Sequence, residues 1–285
     1  MSQWRIGDVT VTKIIEHEVN GGSRYLLPPG TPGWLHPYLA EGDACLRLSI
    51  HSFVVQTPAR RIIVDTCLGN DKRNRPVAYW NQRQGPFLRS LADAGCPAGT
   101  IDTVVNTHLH IDHVGWNTML RQDRWVPTFP QARYLMAGAE FEYWRDHAAR
   151  DDTRQMLADS VLPVVQAGLA DLVETGHRIC DEVSLVATPG HTPGHLSVHI
   201  TSCGEEALIT GDFMHHPCQV AHPEFELTSD SDPARGTNTR REMFDRLANR
   251  PVLLLISHFA GATAGHIQRD GDGYRFEAHG AGNHT

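Results

Sequence analysis

The 285-residue chain carries 25 Lys and Arg against 33 Asp and Glu, a net charge of −8 with a sequence pI near 6.1, and 40% hydrophobic residues. An acidic balance without a basic cluster argues against a nucleic-acid backbone or an anionic membrane as the main partner, and no apolar run reaches the eighteen residues of a spanning helix. With no linker, charge block or repeat, the chain is expected to form one domain over residues 1–285.

The opening Met-Ser-Gln-Trp-Arg-Ile-Gly-Asp lacks an apolar core of signal-peptide length, so a cytoplasmic location is expected. Six scattered cysteines without a Cys-x-x-Cys pair predict buried thiols, not a disulfide framework or a thiolate zinc knuckle. Val9 to Val19 alternates β-branched with polar residues and predicts a strand. Leu46 to Gln56 and Arg61 to Asp65 predict two more across the turn Thr57-Pro58-Ala59-Arg60. Gly85 to Gly95 holds Phe87, Leu88, Leu91 and Ala94 at helical spacing. A short strand, Ile101 to Asn106, runs straight into Thr107-His108-Leu109-His110-Ile111-Asp112-His113.

Further on, Ala132 to Met136 predicts a strand, with helices from about Ala139 to Arg150 and from about Asp152 to Ala167, the second kinked or broken at Pro163. Ser184 to Ala187, Leu196 to Ile200, Ala207 to Thr210 and Val252 to Ser257 predict strands, Thr239 to Asn249 a helix, and His266 to Glu277 a hairpin turning at Asp270-Gly-Asp-Gly273. Strands and helices mix without strict βαβ alternation, which points to two sheets covered by helices.

The chemistry sits at strand ends. His108, His191 in Thr188-Pro-Gly-His-Thr-Pro-Gly-His195, Asp212 in Thr210-Gly-Asp-Phe and His258 in Ile256-Ser-His-Phe each follow a predicted strand, where side chains converge on one edge of a rigid scaffold. Alternation lets His108 and His110 grip one cation while Asp112 and His113 turn to a second. His191 completes three nitrogens on the first ion, Asp212 offers one oxygen to each, and His258 finishes the second site. Two cations ~3.5–4 Å apart hold a water between them with its pKa lowered toward about 7, a hydroxide nucleophile at neutral pH. Asp112 is then placed to accept and return the proton.

On these residues the chain resembles the metallo-β-lactamase-fold hydrolases, whose His-x-His-x-Asp-His signature and later His, Asp and His ligands it matches from roughly Val9 to Ile267. The resemblance implies an α/β (α+β) fold, an αββα sandwich of two mixed β-sheets flanked by helices. It also implies two Zn2+, with Mn, Fe or Co as substitutes, on His108, His110 and His191 and on Asp112, His113 and His258, with Asp212 bridging. Asp65 matches the family's acidic residue behind the ligands, expected to accept a hydrogen bond from a ligand imidazole. His195 is expected to be a buried histidine behind the ligands.

Asp212 in place of cysteine or serine, with His113 ending the cluster, makes the set unlike the zinc β-lactamases and closer to glyoxalase II, the acyl-homoserine lactonases and methyl parathion hydrolase. The 27 residues after His258 are too few for glyoxalase II's helical glutathione-binding domain. The lactonases carry a tyrosine three residues after the bridging aspartate; here that position is His215, whose imidazole is expected to donate to a developing oxyanion. Substrate walls are expected from Leu26 to Tyr38, from Pro76 to Phe87 with Tyr79 and Trp80, and from Trp116 and Phe259.

The expected activity is a dinuclear zinc hydrolase acting on a small ester or lactone. A phosphotriester or other xenobiotic hydrolase uses the same site; a mononuclear iron persulfide dioxygenase and a non-catalytic metal-binding protein are the remaining readings. The expected partner is a small-molecule substrate, with no nucleic acid and no membrane, and a homodimer is allowed.

Overall fold

The computed structural model describes residues 2–20 and 46–279. The segment Leu26 to Tyr38, expected to wall the substrate, and Cys45 lie outside the described residues. Strands β1 (Gln3–Ile6), β2 (Val9–Asn20), β3 (Arg47–Gln56), β4 (Arg61–Val64) and β5 (Thr103–Val105) pair in chain order, antiparallel up to β4 and parallel from β4 to β5. A separate hairpin, β6 (Thr118–Arg121) with β7 (Arg124–Pro127), precedes β8 (Arg133–Ala137) and β9 (Ala170–Val173), which extend the first sheet in parallel to seven strands. The second sheet has six strands in chain order: β10 (Val183–Ala187), β11 (Leu196–Ser202), β12 (Glu205–Ile209), β13 (Val252–Leu255), β14 (Ala264–Asp270) and β15 (Gly273–Ala278). All its pairs are antiparallel except β12 with β13.

The period of two explains the layers. Ile62 and Val64 of β4 face inward against Val198 and Ile209 of the second sheet, whereas Ile63 faces out under Phe87 and Leu91 of the helix Phe87–Asp93. In Val252-Leu-Leu-Leu255, Leu253 and Leu255 enter the same inner core, while Val252 and Leu254 pack under Met243, Phe244 and Leu247 of the helix Pro233–Leu247. Strands covered on both faces read as unbroken apolar runs. The result is the expected αββα sandwich.

Pro163 breaks its helix as expected. The segment is realised as Asp151–Met156, a π-turn Leu157–Val161, and Leu162–Gln166. Proline lacks the N–H that would bond the Asp159 carbonyl four residues earlier, and its ring crowds that oxygen. Lys72 Nζ, 2.8 Å away, and the Thr118 hydroxyl take the orphaned acceptor instead, and Arg75 binds the Asp159 carboxylate at 2.7 Å. The last helix begins at Pro233, six residues before the expected Thr239, because Asp232 caps it by accepting the Arg235 N–H at 3.0 Å and Pro233 suits a first turn. Among the described residues no helix is long and apolar enough to cross a membrane.

Candidate metal centre

Five strand ends supply the site: β4 leads to Asp65, β5 to His108, β10 to His191, β12 to Asp212 and β13 to His258. His110 precedes the one-turn helix Ile111–Val114, which carries Asp112 and His113 round to a second position. His108 Nε2 and His191 Nε2 lie 3.0 and 2.8 Å from His110 Nδ1. In the second group His113 Nε2 stands 3.2 Å from His258 Nε2, with Asp112 Oδ2 3.8 and 3.7 Å from the two nitrogens. Asp212 Oδ2 sits between the groups, 3.7 Å from His108 Nε2, 3.4 Å from His191, 3.2 Å from His113 and 3.1 Å from His258. All seven residues singled out by spacing thus converge, and each three-residue group brings its ligand atoms within 4.8 Å of one another.

These residues fit divalent cations. Nitrogens 2.8–3.0 Å apart around His110 have one lone pair too many for a single bridging proton, and Asp212 Oδ1 is buried with no hydrogen-bond partner. Four ligands at zinc distances stand roughly 3.3 Å from one another, so a cation would need only a slight spreading. Five imidazoles and two carboxylates without a thiolate suit zinc and also manganese, iron or cobalt.

Electrostatics prepares the first group. Burial, helped by neighbouring imidazoles, holds His108, His110 and His191 well below the usual histidine range, leaving neutral rings with free lone pairs. Burial acts the same way on His113 and His258, but the negative charge of Asp212, with Asp65 and Asp112 beside His113 and Asp112 beside His258, outweighs it and raises both. Burial pushes Asp212 up, yet His113, His215, His258 and His108 together hold it well below the carboxylate range.

Behind the cluster, Asp65 meets its expected role: its carboxylate faces His113 Nδ1 at 2.9 Å and accepts from the Thr107 N–H and hydroxyl at 2.8 and 2.9 Å. Two carboxylates were not found from sequence. Asp230 faces His191 Nδ1 at 2.7 Å. Glu140, wholly buried, accepts the Leu109 N–H at 3.0 Å, the Gly194 N–H at 3.0 Å and the Trp144 indole N–H at 2.6 Å, tying the two histidine loops together. No motif marks either residue; only the fold brings them in. His195 is buried behind the ligands, as expected, at 1% exposure, which excludes it from the open face.

His215 places Nε2 2.8 Å from Asp212 Oδ2 and lies parallel to the His258 ring at 5.0 Å, with Nδ1 buried and unpartnered. Two of the expected walls are core instead. Trp116 stacks on Phe87 at 5.6 Å and donates its indole N–H to Glu16 at 2.7 Å, and Phe259 packs edge-on against Phe276 at 5.3 Å in the outer core. Tyr79 is exposed and tilts against His17 at 5.3 Å. Trp144 lies beside the cluster, 5.2 Å from His110.

Residues 46–258, which span β3 through His258, match the family model described as the metallo-beta-lactamase superfamily. The chain belongs to that superfamily. It is 29% identical over 183 residues to an N-acyl homoserine lactonase of a Bacillus species, covering 59% of this chain and 64% of the relative. It is 30% identical over 145 residues to a hydroxyacylglutathione hydrolase of Nostoc punctiforme, covering 51% and 45%. The matched regions therefore span less than two thirds of these relatives' length. The same metallo-β-lactamase architecture recurs in AidC, a dizinc quorum-quenching lactonase solved with N-hexanoyl-L-homoserine, at TM-score 0.82, 20% identity and 99% and 98% coverage. It recurs also in the hydrolase AbOPH, at TM-score 0.81, 24% identity and 96% and 95% coverage.

Proposed function

We propose that the protein is a dinuclear zinc-dependent hydrolase that cleaves a small ester or lactone. The observation that carries this reading is the pair of three-residue groups sharing Asp212 Oδ2. His108, His110 and His191 would hold the first ion, Asp112, His113 and His258 the second, with the Asp212 carboxylate available to both. When bound, the two ions supply Lewis acidity toward a substrate oxygen and a water acidified toward a pKa of about 7.

The chain's own groups do the rest. Asp112, 19% exposed, and His215, 10% exposed, stand on the accessible side of a cluster whose His108 is fully buried, so substrate arrives past them. Asp112 takes the proton and returns it to the leaving alkoxide. His215 donates from Nε2 to the carbonyl oxygen as negative charge builds there, and its contact with Asp212 holds the ring in place beforehand. The lactonase relatives support a cyclic ester as substrate. Five unpaired cysteines among the described residues suit a reducing cytoplasm.

The test is a substrate panel on zinc-loaded protein: N-acyl homoserine lactones, simple γ- and δ-lactones, aryl esters and a paraoxon-type phosphotriester. The reading expects lactones or esters to give the highest kcat/KM, with activity lost in Asp212→Ala. Turnover of the phosphotriester alone, or bound iron with oxygen uptake, would replace it.

A further inference from the structure

Resting on the dinuclear reading, we propose that His195 is a positioning residue that fixes the bridging carboxylate of Asp212 through the Asp212 backbone N–H. That N–H points at His195 Nε2, 2.7 Å away. A backbone N–H can only donate, so Nε2 carries no proton and the ring proton sits on Nδ1. Nδ1 donates to the Thr188 hydroxyl at 2.8 Å, Thr188 donates to Ser197 Oγ at 2.9 Å, and Ser197 donates to the Thr210 carbonyl at 2.7 Å. One end is a donor that cannot accept and the other an acceptor that cannot donate, so the direction of every bond between them is set.

The chain of bonds closes on itself. It leaves from the N–H of residue 212 and returns to the C=O of residue 210, gripping both sides of Gly211. Gly211 takes φ +57°, and a Cβ there would lie 2.6 Å from His195 Nε2, so ring and glycine leave each other no slack. Thr188 N also donates to the His195 carbonyl at 3.0 Å, and Thr210 N to Leu255 O at 3.0 Å, which anchors the loop to β13. A small rotation of the 211–212 peptide would swing Asp212 Oδ2 away from His113 and His258, now 3.2 and 3.1 Å distant. With both ring nitrogens engaged, His195 is free to bind neither ion, although its ring lies only 5.2 Å from that of His108.

The test combines 15N NMR of histidine-labelled protein with metal affinity by chelator competition. The NMR spectrum should show His195 as the neutral Nδ1–H tautomer both metal-free and zinc-loaded. His195→Leu should weaken metal binding by roughly 10- to 100-fold, the range for residues that orient ligands. His195→Gln should restore it toward wild type, because its amide oxygen can accept from Asp212 while its N–H donates to Thr188. If the leucine variant does not fold, Thr188→Val and Ser197→Ala take its place and should weaken affinity in the same direction. An Nε2–H tautomer, or wild-type affinity for both ions in His195→Leu or in the Thr188 and Ser197 variants, would overturn the proposal. Neither readout uses a substrate, so failure here is distinct from failure of the lactone reading.

Discussion

Asp230→Ala removes the carboxylate that faces His191 Nδ1 at 2.7 Å, in a pair whose side chains are 2% and 0% exposed. His191 would keep a buried N–H with no acceptor and lose the contact that points Nε2 at His110. A hydrogen bond to a charged group is worth about 1.5–3 kcal/mol, and changes behind a ligand weaken metal affinity roughly 10- to 100-fold, about 1.4–2.7 kcal/mol. The two ranges agree. Asp230→Asn keeps an oxygen for His191 but turns its amide toward the Leu227 N–H, which now donates to the carboxylate at 3.3 Å; about 10-fold is expected. Stepwise titration of metal-free protein against a chromophoric chelator should show one weakened ion, at the His108–His110–His191 group, and one unchanged. A folded Asp230→Ala protein that binds both ions as tightly as wild type would refute the reasoning.

Three further outcomes follow from the same geometry. Because Asp212 and its neighbours raise His113 and His258, metal uptake should displace protons from this pair, so affinity should tighten as pH rises, with the proton release measurable by calorimetry in buffers of different ionisation enthalpy. Lys72→Met should cost about 1–3 kcal/mol in urea melts, since Arg75 still neutralises Asp159 and the main loss is a donor to its carbonyl. Burial lowers Lys72 from 10.5 to about 7, so the unfolded chain binds the extra proton between those values; the wild-type advantage over Lys72→Met should therefore grow as pH rises through that window, and a flat difference would contradict it. His215→Phe should lower kcat by roughly 10²-fold with KM little changed, if the ring acts on the transition state.

The seven candidate ligands were legible because their chemistry is written locally, in His108 to His113 and in three single residues just past strands. A strand end is a place the sequence marks twice, by its apolar run and by the polar residue that stops it. Asp230 and Glu140 were not legible: each sits in an ordinary polar context, and only the closed fold sets one against His191 and the other across Leu109 and Gly194. Trp116 and Phe259 were misjudged from adjacency. Both sit in tight turns, Trp116 in the 3-10 turn Gly115–Asn117 and Phe259 just past β13, where a neighbour in sequence need not share the ligand's direction. The hairpin of β6 and β7 escaped because Gln122 and Asp123 both take positive φ without the glycine that usually announces such a turn.

The most direct measurement is metal analysis joined to anomalous diffraction of the zinc-loaded protein. The account expects two ions per chain, about 3.5–4 Å apart, one on His108, His110 and His191, the other on Asp112, His113 and His258, with Asp212 touching both. A single ion, or a second ion held by other residues, would contradict it.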